Sequence, residues 1–158
     1  MGQLSEKKEV IEKSAIAETA AIAEFLGLRQ PAKDITELRL ARVIEEGLGI
    51  RSFDTLTRKF GEDLFVDRLV STSTLRRTRE SRKKKFSPAI SDKLYRAVRV
   101  LTIATRVFGN DEKAALRFLT KPHQLLDSET PLDLASESSA GSDLVIKILR
   151  RANAGFAV

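Results

Sequence analysis

The 158 residues carry 28 Lys and Arg against 22 Asp and Glu, a formal net charge of +6, with 42% hydrophobic residues, no Cys and one His. That composition excludes disulfides, thiolate metal sites, a Cys nucleophile and any two-histidine zinc motif. No apolar run approaches the roughly 18–20 residues of a membrane span, and Met1–Val10 has no signal-peptide core. Glu6 stands where a myristoylation signal requires Ser or Thr. The expectation is a soluble, cytoplasmic chain with no membrane partner. At this length it forms one domain or two small ones.

Strand signals are nearly absent, and helix punctuation recurs along the chain. Residues 5–26 are rich in Ala and Glu, with Ile11, Ala15, Ile22, Phe25 and Leu26 at helical spacing and Gly27 closing the run. The near-heptad spacing of Ile11, Ala15, Ile22 and Phe25 would also suit a coiled-coil seam, against the plainer alternative of packing onto its own domain. Leu28–Lys33 is a linker broken by Pro31. Asp34-Ile35-Thr36-Glu37 has capping-box form and opens a helix with Leu38, Ala41, Ile44 and Leu48 on one face. Ser52 caps a short helix through Phe53, Leu56 and Phe60, stopped by Gly61. Glu62–Leu69 is expected to be helical, Val70-Ser71-Thr72 a tight turn, and Ser73–Arg82 the next helix, capped by Thr72 or Ser73.

Further helices follow. Ser87-Pro88 places a cap before a proline at the first helical position, where the missing N–H costs nothing. The helix it opens runs to about Phe108. Its stripes Leu94/Ala97/Val98/Leu101/Ala104 and Val100/Ile103/Val107 make it apolar on more than one side, as a central packing helix requires. Asn110 caps the stretch Asp111–Thr120, and Thr130-Pro131-Leu132-Asp133 repeats the cap-plus-proline signature. Ser142 caps a last helix with Leu144, Val145, Ile148 and Leu149 inward and Gly155 past its end. The fold class is all-α, with about eight helices.

The charge is not spread evenly. Residues 72–85 hold seven Lys and Arg against the single Glu80, a local +6 equal to that of the whole chain, while residues 110–158 sit near neutrality. Such a block is a patch for a polyanion. Placed after Glu62–Leu69 and a short turn, it has the proportions of a helix-turn-helix, whose second helix enters the major groove of DNA. Ser73, Thr74, Arg76, Arg77 and Arg79 would face outward, with Leu75 and Thr78 packed inward. Ser73, Thr74 and Arg77 would meet base edges, and Arg82, Lys83, Lys84 and Lys85 would clamp phosphates. The plainer alternative is a solvated, highly charged loop.

The C-terminal half carries a more specific pattern. Ser87-Pro88, Ser91-Asp92-Lys93-Leu94-Tyr95-Arg96 and Val100 come first, followed by Phe108-Gly109, Ala114, Phe118-Leu119 and Pro122. Then come Leu126, Pro131-Leu132-Asp133-Leu134, Gly141, Val145, Leu149-Arg150-Arg151 and Gly155. In this order and spacing they resemble the toxin-binding half of Xre/MbcA/ParS-type antitoxins, the partners of RES-domain toxins. Residues 53–85 resemble the Xre-like reader that precedes it in that family. The chain departs from the family pattern at Phe118, His123, Ser142 and Asn153.

The resemblance implies an antitoxin that covers the active site of an NAD-consuming RES toxin and, with it, represses its own operon through the helix-turn-helix. It divides the chain into an N-terminal helix and linker (1–33), a helix-turn-helix domain (34–86) and a toxin-binding domain (87–158). The expected toxin contacts are Thr130, Pro131, Leu132, Asp133, Arg150, Arg151, Gly155, Phe156 and Val158, with the tail after Ala154 entering the toxin's cleft. The competing reading is a stand-alone helix-turn-helix regulator whose C-terminal helices dimerise. A helical scaffold with an incidental basic loop is a third.

Catalysis finds little support. His123 after Pro122 suits a cap or a solvated residue, and Asp133 is explained by its place in the first turn of a capped helix. The Ser136–Ser142 stretch lacks the G-x-S-x-G of a nucleophile elbow, and the glycines form no phosphate-cradling loop. No enzyme activity and no cofactor are expected. The expected partners are a RES-type toxin, operator DNA and further copies of the chain, as a homodimer or a larger complex with toxin.

Overall fold

A computed structural model describes residues 2–28 and 34–155. Eight α-helices account for the described chain: α1 (Gly2–Phe25), α2 (Glu37–Glu46), α3 (Ile50–Phe60), α4 (Thr72–Glu80), α5 (Pro88–Val107), α6 (Glu112–Thr120), α7 (Pro131–Glu137) and α8 (Ser139–Asn153). Two short 3-10 turns, Glu62–Leu64 and Gln124–Leu126, interrupt the connections, and β structure among the described residues is limited to the isolated bridges Gly49–Lys85 and Val66–Val70.

The centre is α5. Ser87 accepts a hydrogen bond from Ile90 N–H as N-cap and Pro88 follows in the first turn, as the sequence predicts. Ten of its residues from Ser91 to Thr105 are buried, including both apolar stripes apart from half-buried Val107. A helix hydrophobic on several sides must be enclosed, and α1, α2, α6, α7 and α8 all pack against it. Thr102 and Thr105 hydroxyls donate back to the Val98 and Leu101 carbonyls, so neither buried hydroxyl is orphaned. The resulting core is one cluster from Ile22 of α1 to Leu149 of α8.

Two contacts set the helices close together. Gly47, at φ +99°, lies where a Cβ would come within 2.3 Å of the Phe86 carbonyl oxygen. At Gly141 in the first turn of α8, a Cβ would meet the Leu134 carbonyl oxygen of α7 at 2.2 Å. Neither position accommodates a side chain, because the obstacle is backbone rather than a flexible side chain.

Several boundaries differ from the sequence expectation, each for a local reason. The caps shift: Thr36 caps α2, two residues after Asp34, while Gly49 of α3 and Ser138 of α8 fall earlier than the expected Ser52 and Ser142. Asp111, rather than Asn110, caps α6. Ser52 and Ser142, expected as caps, are buried inside their helices instead. On α2 it is Leu40 and Ile44 that face the core, while Leu38 is 67% exposed. Thr130 caps α7 with Pro131 next, and Gly155 follows α8 at φ +83°, both as expected.

Candidate functional site

The helix expected over Glu62–Leu69 is not formed. Beyond the 3-10 turn, Asp67 adopts φ +59° and aims its carboxylate at the start of α4, accepting from Thr72 N–H at 2.9 Å and Thr72 Oγ1 at 3.0 Å. An Asp side chain bonded to the backbone in this way competes with helix continuation. Ser71 shares the task as N-cap, accepting from Thr74 N–H. The helix that precedes α4 is therefore α3, and the connection spans residues 61–71 rather than three residues. Phe53 of α3 anchors the unit, with Phe65 at 6.2 Å and Phe86 at 5.6 Å between ring centroids.

On α4 itself, Leu75 and Thr78 face the core, as predicted. Ser73, Arg76, Arg77 and Arg79 are exposed, and Thr74 is half-buried with its hydroxyl 2.9 Å from that of Ser71. Arg79 is not available as a lone cation: its guanidinium lies 2.7 Å from the Asp54 carboxylate of α3. The helix ends at Glu80 instead of Arg82. Ser81 leaves the helical region, donates to the Thr78 carbonyl and accepts from Lys84 N–H.

Arg82, Lys83, Lys84 and Lys85 thus form a loop rather than a last helical turn, and every one is exposed. The loop is fixed through its backbone. Ile50 N–H donates to the Lys84 carbonyl at 2.9 Å, and Phe86 N–H to the Leu48 carbonyl at 2.8 Å. Nearby, Ser91 of α5 accepts from Leu48 N–H at 2.8 Å, in a fully buried bond. Backbone ties leave the four side chains to solvent, which is the arrangement that concentrates positive potential on a surface.

The second predicted surface lies on α7 and α8. Thr130 and Asp133 form a reciprocal cap: Thr130 Oγ1 donates to Asp133 Oδ2 at 2.6 Å and accepts from Asp133 N–H at 3.2 Å. The other carboxylate oxygen of Asp133 lies 3.0 Å from Arg68 Nε, linking α7 to the chain ahead of α4. Pro131 and Leu132, expected at the toxin contact, are both buried, Leu132 to 1% exposure within the core. Thr130 and Asp133 are half-buried, whereas Arg150, Arg151 and Gly155 are exposed. Phe156 and Val158 lie outside the described residues.

The structure brings Arg150 and Arg151 together with Lys147 and Leu144 around a hollow of about 660 Å³ at the end of α8. Sequence reasoning missed Lys147 and Leu144. Leu144 was assigned inward from its spacing, yet it is 43% exposed.

Residues 104–155, from within α5 to the turn after α8, match the family model described as the antitoxin Xre/MbcA/ParS C-terminal toxin-binding domain. This stretch belongs to the Xre/MbcA/ParS antitoxin family. No curated protein matches the chain. The antitoxin domain is a toxin-binding module, and the whole of α6, α7 and α8 lies inside the match. Its packing explains its sequence pattern: Ala115, Leu119, Leu126, Leu132, Ala135, Val145 and Leu149 are all buried.

The chain's departures from the family pattern also have visible consequences in this domain. Phe118 stacks between Phe108 at 5.7 Å and His123 at 5.6 Å. His123 Nδ1 accepts from Leu125 N–H as cap of the 3-10 turn, the capping role foreseen for it. The Ser142 hydroxyl is buried without a hydrogen-bond partner among the described residues. No cluster of His, Asp and Glu suited to a metal occurs among the described residues, and no described helix is long and apolar enough to cross a membrane.

Proposed function

We propose that this antitoxin-family chain neutralises a RES-type, NAD-consuming toxin through its C-terminal domain and binds operator DNA through α4 and the basic loop. The observation that carries the first half is the family match over residues 104–155. Within that domain, the exposed cations Arg150 and Arg151 beside Gly155 are the side chains placed to meet a partner, with Thr130 and Asp133 at the half-exposed start of α7. Pro131 and Leu132 are buried beside them and support this surface from below. Phe156 and Val158, which follow Gly155, are proposed to extend the contact into the toxin's cleft.

The second half is supported by exposure. Arg76, Arg77, Arg82, Lys83, Lys84 and Lys85 all reach solvent, and none has an ion-pair partner among the described residues. Ser73 and Thr74 begin α4, where base edges are read in helix-turn-helix complexes, while Arg79 is paired with Asp54 and contributes less. If four to six of these cations meet phosphates, log affinity falls against log salt with a slope of about −4 to −5. Co-expression with the neighbouring reading frame tests the first half: retention of an otherwise toxic RES-type partner supports it, and its absence favours a stand-alone regulator. A mobility shift on the chain's own promoter tests the second, and a salt slope near zero removes the DNA role.

A further inference from the structure

The N-terminal half of α1 stands clear of the molecule. Every residue from Gly2 to Ser14 is exposed, among them Leu4 at 73%, Val10 at 67% and Ile11 at 68%. A helix of that length is marginal in water when nothing packs on it. At 100° per residue, Leu4, Ile11, Ala15, Ile22 and Leu26 fall within one sector of about 60°. The lower end of that stripe, Ile22 and Leu26, is buried in the chain's own core, while the upper end has no partner. Lys7 and Lys8 flank the unpartnered end, one on each side.

Along α1 from Ile11 to Ile22 runs a groove of about 850 Å³, bounded by α2, α5 and Arg150 of α8. Its floor is apolar, with Ile22, Leu40, Ile44 and the ring of Tyr95. Its rim carries Glu18, Glu37, Glu45 and Asp92 against Arg99 and Arg150; Glu18 is paired with Arg99, Glu45 with Arg42 at the exposed edge and Asp92 with Arg96, which leaves Glu37 without an ion pair among the described residues. Burial pushes the Tyr95 phenol above its ordinary range; Arg99 opposes the shift, and Glu18, Glu37 and Asp92 add to it. The lining thus holds four carboxylates against two guanidinium groups, with the Tyr95 ring half-buried among them.

We propose that the occupant of this groove is the N-terminal half of α1 from a second copy of the chain. Leu4 and Ile11 of one copy lie on the floor of the other, and Lys7 and Lys8 meet the Glu37 and Glu45 side of its rim. Each copy has one projecting half and one groove, so the exchange is two-fold and closed, with the axis near Ile11. The helix half spans about 20 Å, slightly longer than α2 beside it. Apolar stripe meets apolar floor, and basic flanks meet the Glu37 side of the rim, without involving α4 or the basic loop, while Arg150 of α8 lies at the groove's edge.

Sedimentation velocity of the full chain from 1 to 200 µM tests this, with Tyr95 emission recorded at each concentration. The chain has one Tyr and no Trp, so that signal reports the groove alone. The expected result is a monomer–dimer equilibrium accompanied by a change in Tyr95 emission. Leu4→Asp/Ile11→Asp and Lys7→Glu/Lys8→Glu should each weaken dimerisation at least tenfold. Both pairs are exposed, and circular dichroism checks that the fold is retained. Placing Glu37→Lys and Glu45→Lys in the Lys7→Glu/Lys8→Glu chain should restore most of the affinity. A monomer over the whole range, a dimer indifferent to these substitutions, no recovery on charge exchange, or association only with DNA or toxin would each overturn the proposal.

Discussion

The basic loop after α4 and the α7–α8 end are both held tightly, but by opposite means. The loop is tied through its backbone, by the Ile50-to-Lys84 and Phe86-to-Leu48 hydrogen bonds, and its side chains are left to solvent. The α7–α8 end is held by its side chains and by their absence: Leu132, Val145 and Leu149 fill the core, and Gly141 lets the Leu134 carbonyl come against α8. The first region is tolerant of side-chain change and sensitive in charge. The second is sensitive to any change in its buried side chains. Residues that position a surface and residues that serve it are therefore separable in this molecule, and substitutions should sort accordingly.

The largest effect is expected at the close backbone approaches. Gly141→Ala drives a methyl into the Leu134 carbonyl and should cost about 3 kcal/mol in urea unfolding, within the usual range for forced overpacking. Gly47→Ala adds a positive φ to a similar clash and should match or exceed it. Full stability in either variant would break the account of how α7–α8 and the basic loop are seated. Leu119→Ala, at a fully buried position, should cost about 2–5 kcal/mol, whereas alanine at Lys83 or Lys85 should leave stability within about 0.5 kcal/mol.

An opposite sign is expected at Ser142. Its hydroxyl is buried and unbonded, so Ser142→Ala should raise stability by about 1 kcal/mol and lift the thermal midpoint by a few degrees. A loss would mean the hydroxyl has a partner, such as a bound water.

The smallest effect concerns pH. Burial holds the Tyr95 phenol above its ordinary value of 10.0 in the folded chain. The folded state therefore holds its proton after the unfolded chain has released it, and stability from the neutral phenol is complete below pH 10 and declines above it. Absorbance titration at 295 nm should place the midpoint above 10, and Glu37→Gln should lower it slightly. A midpoint at or below 10 contradicts a phenol half-buried among carboxylates.

Much of this was legible in the sequence. Cap-plus-proline pairs placed α5 and α7 to the residue, and the double stripe of α5 announced its central position, because local hydrogen bonding and periodicity decide such features. The family pattern over residues 87–158 was equally legible, and the match over 104–155 lies within it. What the sequence concealed was non-local. Glu62–Leu69 has helical spacing, but Asp67 is drawn to the N-terminus of α4. Leu132 and Pro131 sit in the most specific motif yet serve packing, since a motif shared within a family marks core as readily as contact. Arg79 looked like its neighbours until α3 brought Asp54 beside it.

The proposed DNA-binding and toxin-binding roles fall on separate surfaces of one packed chain. This separation is tested by Arg82→Glu/Lys83→Glu/Lys85→Glu in the 158-residue chain, assayed in parallel for promoter binding and for inhibition of the RES-type toxin proposed as its partner. The account predicts promoter binding lost by at least a hundredfold and toxin inhibition unchanged. Promoter binding left intact, or inhibition lost along with it, would contradict it.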